Sequence, residues 1–257
     1  MQQGQAPALG GAGDGGGGNG TNPAENARRL VLRNEYLRLG SGLVVNTTIA
    51  KLSVPAFGKK GSVYFELPFN YYDPTQSNIS QFGGIGDFKV GASYNFWTSE
   101  SKKVTLLGGA DFWAPTADNF AATRNPVTNT LSFQESGTGK FRAAPMAGLV
   151  YAFSPTRIFA PMYQHEFSFA GDSTRATIHR GVVRLFFMNA WESGVYVLPE
   201  AQMIIDYTNR NRLDVFLMPE VGYSKKGSTF FAKPGFGINP GPNNRSVGVN
   251  FGIRQDF

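Results

Sequence analysis

The stretch R-S-V-G-V-N-F-G-I-R-Q-D-F (Arg245–Phe257) alternates almost to the last residue. Val247, Val249, Phe251, Ile253 and Phe257 share one parity, while Gly248, Asn250, Gly252, Arg254 and Asp256 share the other. Gln255 departs from the apolar parity. A period of two with one apolar and one polar or small face is the pattern of a half-buried strand. It stands at the end of the chain, where soluble domains usually fray. Such a strand is either the edge of a soluble β-sandwich or the closing strand of a barrel.

Reading outward from it, the same alternation recurs about twelve times. The strands fall near residues 28–39, 46–57, 62–72, 84–97, 103–115, 140–153, 157–169, 175–187, 194–206, 212–223, 228–238 and 245–257. Most have the length a tilted membrane strand needs. The connections sort by parity. Those after the second, fourth, sixth, eighth and tenth strands are tight: G-K-K-G, T-S-E-S-K, S-P-T, N-A-W-E-S and S-K-K-G. Those after the third and fifth are long, Asp73–Gly84 and Thr116–Gly139, and the remainder are intermediate and polar. Short turns at one end and longer loops at the other are the sidedness of an outer-membrane barrel, with the short turns periplasmic. A sandwich has no reason to sort its connections this way. The expectation is therefore an all-β fold: a closed antiparallel transmembrane β-barrel of about twelve strands, spanning residues 27–257. Residues 1–26 read as a flexible tail, because the Gly10–Gly20 run has nothing to bury.

Composition agrees. Apolar residues make up 41 % and aromatics 14 %, with 32 Gly and a mean hydropathy of −0.22. A wall that faces lipid on one side and water on the other averages to such a value. No apolar run is long enough for a transmembrane helix. The absence of cysteine removes disulfides and thiolate chemistry. A net charge of +6, scattered without a basic block, argues against nucleic acid as a partner. Met1 is followed by no basic start and no apolar core, so an envelope protein of this kind is expected to appear here in mature form with Met1 added, the alternative being a soluble cytoplasmic protein.

The two parities divide by chemistry. The apolar one is rich in aromatics: Phe65, Phe69, Tyr94, Phe96, Phe159, Phe167 and Phe169 are examples. Tyr36, Tyr71, Tyr72, Trp97, Tyr151, Trp191, Tyr207 and Tyr223 lie at strand ends, where aromatic girdles meet headgroups. The opposite parity carries Arg33, Glu35, Glu66, Asp87, Lys89, Asp111, Arg142, Glu166, Arg180, Arg184, Glu200, Asp206, Asp214, Glu220, Lys233 and Arg254. Unpaired buried charges are costly, so these residues must face water or one another across a lumen. They are the candidate pore lining. A selective channel and a closed, salt-bridged lumen are both compatible with them.

Prolines 68, 145, 161, 199, 219 and 234 fall inside expected strands. Proline cannot donate to the ladder, so each marks a bulge or gap, expected near the rims. Catalytic chemistry is missing from the pattern. His165 and His179 are the only histidines. Neither has a serine two residues later on the same face, as an outer-membrane lipid hydrolase would. Their separation along the chain makes a metal site unexpected, and no cofactor is expected.

Two further features carry a resemblance. A terminal aromatic on the last strand, Phe257, resembles the assembly signal of bacterial outer-membrane barrels. The segment E-L-P-F-N-Y-Y-D-P (Glu66–Pro74), followed after a variable loop by G-G-I-G-D-F-K-V-G-A-S-Y-N-F (Gly83–Phe96), is similar to the family of meta-pathway phenol-degradation outer-membrane proteins. Gly84, Gly86 and Asp87 match its G-x-G-D element. The resemblance implies a transporter-like barrel passing small, often aromatic or hydrophobic compounds. The expected partners are thus outer-membrane lipid and a small solute, with the loops or the tail available to a protein partner. The alternative is a structural barrel holding a partner, and the third reading is a lipid hydrolase.

Overall fold

Alternating apolar residues give each strand one greasy edge, and pairing with a neighbour on both sides satisfies the backbone groups such an edge would leave exposed in lipid. The computed structural model does both. It describes residues 22–40, 42–73, 82–117, 119–124, 131–135, 137–239 and 244–257. The glycine run of the expected tail and parts of the long connections lie outside them. Among the described residues, the strands are β1 (Arg29–Leu39), β2 (Val44–Ala56), β3 (Gly61–Asp73), β4 (Phe82–Ile85), β5 (Phe88–Thr98), β6 (Val104–Ala114), β7 (Asn119–Arg124), β8 (Leu131–Glu135) and β9 (Lys140–Ser154). They continue as β10 (Arg157–Gly171), β11 (His179–Ala190), β12 (Val195–Leu198), β13 (Glu200–Asp206), β14 (Arg212–Leu217), β15 (Glu220–Lys225), β16 (Ser228–Gly237) and β17 (Arg245–Asp256).

All pairings are antiparallel. The ladder runs from β10 through β9, β6, β5, β3, β2, β1, β17 and β16 to the β11–β15 wall, and the β10–β11 pairing closes the ring. Counting β4 with β5, β12 with β13 and β14 with β15, the wall has twelve strands. The closure at the chain's end is continuous: β17 pairs with β1 from Arg29↔Asp256 onward and with β16 from Ser228↔Gln255 onward. The β7–β8 hairpin stands apart, inside the long connection after β6.

The tight turns collect at the end where β1 begins and β17 finishes. One is a two-residue hairpin at Lys226 and Gly227, with φ of 49° and 80°, the twist that matches flanking strands. The outward parity is apolar: Phe96 is 65 % exposed and Phe169 59 %, a surface suited to lipid. Tyr36, Tyr71, Trp97, Tyr151, Trp191 and Tyr223 are among the exposed outward rings. Tyr72 departs from the expected girdle. It shares the inward parity of Glu66 and Asn70, so it points into the barrel.

The prolines correct two expectations. The predicted strands 194–206 and 212–223 are each split, at Pro199 and at Met218–Pro219. These breaks sit in mid-wall rather than at the rims, and Pro234 lies beside them in β16. The sequences L-P-E (Leu198–Glu200) and M-P-E (Met218–Glu220) are the same device twice: proline interrupts the ladder, and the next residue turns a carboxylate inward. The Met218 N–H still reaches the Glu200 carbonyl at 2.8 Å and the Phe187 N–H reaches that of Pro199 at 3.1 Å, so backbone groups at the break stay paired. The predicted strand 175–187 also shifts, to His179–Ala190.

The lumen face is not charged throughout. Leu107, Val150, Ile158, Ala160, Phe186, Met188, Tyr196, Leu198 and Phe231 form a buried apolar cluster toward the tight-turn end, with Ala24 packed against it.

Candidate functional site

Three ion-pair networks occupy the inward parity. The first crosses the mid-wall breaks. Arg184 Nε donates to Glu200 at 2.7 Å, Lys233 bonds the other Glu200 oxygen, and Arg254 holds Glu220 at 2.8 and 3.0 Å. Tyr196 donates its hydroxyl to Glu220 at 2.6 Å and accepts from Arg254 at 2.8 Å. Its ring fits because position 222 is glycine: a Cβ there would stand 2.3–2.4 Å from the ring. The network ties β11, β13, β15, β16 and β17 together where the ladder is interrupted.

The second network lies on β1, β2, β3, β5 and β6. Glu66 receives Lys89 at 3.0 Å, Lys51 at 3.3 Å and Arg33 at 3.9 Å, and Arg33 also reaches Glu35 at 2.8 Å. Asp111 accepts from the Tyr64 hydroxyl and, at 2.9 Å, from Gln164, with Lys89 at 3.5 Å. The Lys51 ammonium stands 3.8 Å from the centre of the Tyr64 ring, where the ring face attracts cations.

The third sits at the loop end. Arg142 joins Glu166 at 2.6 Å and Asp87 at 3.4 Å, and Arg180 joins Glu166 at 2.7 Å. Asp87 also accepts from the Thr138 amide at 2.9 Å and hydroxyl at 2.6 Å. This is the physical role of the G-x-G-D element. Gly86 donates its N–H to Pro68 at 2.9 Å, and a Cβ there would fall 2.5 Å from the Asn70 side chain. The chain can fold tightly onto β3 there, and Asp87 then anchors the end of the long connection above Arg142. Outside the three networks, Asp214 is paired with Arg245 at 2.7 Å, and Asp206 with Arg212 at 3.9 Å.

Every residue expected on the lining parity points inward, but the residues do not share one space. A cavity of about 580 Å³ runs from Asn22, Pro23 and Ala27 at the tight-turn end to Leu37 and Gly248 near the other. Arg33, Glu35, Glu66, Lys89, Asp111, Arg184, Glu200, Glu220, Lys233 and Arg254 line it. Asp87, Arg142, Glu166, Arg180, Asp206 and Asp214 do not; they lie in the wall above or beside it. Sequence reasoning passed over Arg29, Lys51, Tyr64, Phe216, Phe231 and Arg245, which also line it. Arg245 has the outward parity of its strand but turns inward at an irregularity, where Arg38 pairs with Val247 and Leu39 with Arg245.

Within the pairs, the two partners are unequally hidden. The Arg184 and Arg180 side chains are 41 % and 39 % exposed, whereas Glu200 is 1 % and Glu166 4 % exposed. The carboxylates are sealed in the wall, the Arg184 guanidinium edge faces the cavity, and the Arg180 edge is open outside it. At the tight-turn end, residues 22–27 fold inward. Asn95 donates to the Ala24 carbonyl at 2.9 Å, Asn26 to that of Lys59 at 3.3 Å, and Glu25 pairs with Arg29 at 3.3 Å.

The histidines correct the sequence reading. Far apart along the chain, they are neighbours across β10 and β11, with Nε2 atoms 3.1 Å apart. Both point outward, and Ser168 is engaged with the Ile178 backbone instead. Neither histidine bonds a serine among the described residues.

Solved structures share this architecture. An outer-membrane channel from Pseudomonas putida F1 superposes with a TM-score of 0.71 at 12 % identity, over 91 % of this chain and 96 % of that one. The NanC porin gives 0.60 at 11 % identity, over 89 % and 100 % of the two chains. The KdgM porin gives 0.57 at 10 %, over 89 % and 99 %. The fold is therefore that of outer-membrane channel and porin barrels. No protein-family model matches the chain, and no curated protein matches it.

Proposed function

We propose that the chain is a channel of the bacterial outer membrane through which small solutes diffuse, with the apolar outer surface in contact with lipid. The observation that carries this is the cavity along the barrel axis, lined by ionised side chains of both signs that are held in pairs. Inside a closed wall, such a lining is stable only where its free edges meet water or a polar solute. The barrel architecture shared with channels and porins supports the same reading. The likeness to phenol-degradation outer-membrane proteins extends it to aromatic solutes. Tyr64, Phe216 and Phe231 put ring surface beside the charges in the cavity wall, so a small amphiphile with one aromatic and one ionised part fits the lining. The lipid-hydrolase reading gains no support, because the outward histidines engage each other rather than a serine.

A second reading has its own observation. Residues 22–27 lie inside the tight-turn mouth, against the apolar cluster, and a lumen stoppered there would be a braced structural barrel. Purified protein inserted into planar lipid bilayers decides between them. Stepwise single-channel currents are the expected result. A protein that inserts, by proteolytic protection and heat-modifiable mobility, yet passes no current with residues 1–27 either present or removed would sink the channel.

A further inference from the structure

His165 and His179 are the only imidazoles of the chain, and the fold sets them side by side on the outer wall. His179 opens β11 and is exposed; His165 lies opposite Gly181 in the register of β10 and β11. Their Nε2 atoms are 3.1 Å apart, with the rings nearly perpendicular at 80°. Around them stand two tyrosines. The Tyr163 hydroxyl is 3.0 Å from His165 Nδ1 and 3.4 Å from the Tyr207 hydroxyl. The Tyr207 ring centre is 5.0 Å from that of His179 and 5.8 Å from that of His165. The missing side chain of Gly181 makes the room, since a Cβ there would come within 2.6 Å of the Tyr207 oxygen.

We propose that this cluster is a surface binding site for a divalent transition-metal ion of the zinc or copper(II) type. Neutral imidazole nitrogen is the commonest protein ligand for these ions. At metal–nitrogen bonds of about 2.0–2.1 Å, two ligand nitrogens stand about 2.9 Å apart at a right angle and about 3.4 Å apart at the tetrahedral angle. The observed separation falls between these values, so the two nitrogens are spaced for one ion, and each ring has only to turn its Nε2 from its partner toward the ion.

The proton balance is local. Without metal, one Nε2–H donates to the other Nε2. With metal, both Nε2 atoms are ligands, and the proton of the donating ring moves to its Nδ1. In His165 the proton stays on Nδ1, which donates a hydrogen bond to the Tyr163 oxygen 3.0 Å away and so fixes the tautomer as an orienting partner does in known sites. The remaining positions on the ion belong to water or to the Tyr207 hydroxyl. The site is open at the first residue of β11, where His179 is exposed, and the bound ion would clip β10 and β11 together across the ring-closing ladder.

Because no other histidine and no cysteine exists in the chain, copper(II) is a clean probe. The test uses full-length protein without a polyhistidine tag, in detergent, titrated with copper(II) and followed by calorimetry and frozen-solution electron paramagnetic resonance. One equivalent should bind with nitrogen couplings from two imidazoles, and zinc should compete for it. His179→Ala should reduce the spectrum to one imidazole and weaken binding by more than the roughly 10–100-fold that loss of an orienting partner costs. Tyr163→Phe should keep both imidazoles and weaken binding within that range. Both variants change exposed side chains, and unchanged heat-modifiable mobility verifies that they fold. Copper bound without imidazole couplings, or bound equally by His179→Ala, would overturn the site and leave a hydrogen-bonded histidine pair.

Discussion

Glu200 and Arg184 are one ion pair with two very different exposures, and that asymmetry decides what each does. Glu200 is sealed in the wall and holds both Arg184 and Lys233. Removing its carboxylate with Glu200→Ala leaves Arg184 without its acceptor and the buried Lys233 with only Glu220 at 4.0 Å, so the barrel should lose about 3–5 kcal/mol, the usual result of breaking a buried pair from one side. Arg184→Ala leaves Glu200 paired with Lys233 and empties a position that already faces the lumen. It should cost under about 1 kcal/mol while shifting ion selectivity. Urea unfolding from detergent, together with reversal potentials, separates the two effects; equal destabilisation by both variants would contradict the assignment. A related test concerns packing alone. Gly222→Ala places a methyl against the Tyr196 ring and should cost about 1–3 kcal/mol by overpacking, with a lower unfolding midpoint as the readout.

At the scale of elements, the wall was largely legible and its bracing was not. Alternation in Arg245–Phe257 and its counterparts revealed strands and parity because both belong to a single strand. Cross-strand neighbours belong to register, which turn geometry and tilt set. The meeting of His165 with His179 was invisible for that reason. So was the inward turn of Arg245, which depends on an irregularity opposite Leu39. Lone charges such as Lys51 gave too little contrast to their strands to be singled out. The segment before β1 read only as tail, since its polar residues show no period, yet its side chains and carbonyls meet Asn95, Lys59 and Arg29. These few bonds hold residues 22–27 inside the mouth. Deleting residues 1–27 should therefore raise single-channel conductance while leaving the wall assembled; an unchanged conductance would show that the segment does not narrow the path. The other end of the chain behaves oppositely. β17 pairs on both sides, and the Phe257 amide reaches the Arg28 carbonyl at 3.1 Å. Truncating Arg254–Phe257 removes the last rungs of both β17 ladders, to Arg29–Val31 of β1 and to Ser228–Thr229 of β16, and the Glu220 partner. Membrane insertion in cells should fall, and normal heat-modifiable mobility of the truncated protein would count against this.

For the whole molecule, the proposed channel raises the question of what sign of charge a passing solute would meet. Eight basic and six acidic side chains line the cavity, and the whole chain carries +6. Exposure sharpens this small excess, since the carboxylates of Glu200 and Glu220 lie deeper than their arginine partners. A narrow lumen with low-dielectric walls concentrates such a field. Two unit charges 4 Å apart interact by about 1 kcal/mol in bulk water and about 4 kcal/mol at the effective dielectric of a protein surface, so a modest excess is enough to bias ion flow. The proposed channel should favour anions in a potassium chloride gradient. Screening supplies the control, because the Debye length falls from about 10 Å at 0.1 M salt to about 3 Å at 1 M. Preference for chloride should be marked at low salt and fade at high salt. Arg184→Ala and Lys233→Ala should each move the low-salt reversal potential toward cations, and an Arg180→Ala change, outside the cavity lining, should move it less. A reversal potential of cation-selective sign at low salt would mean that the sealed carboxylates, and not the guanidinium edges, set the field along the path.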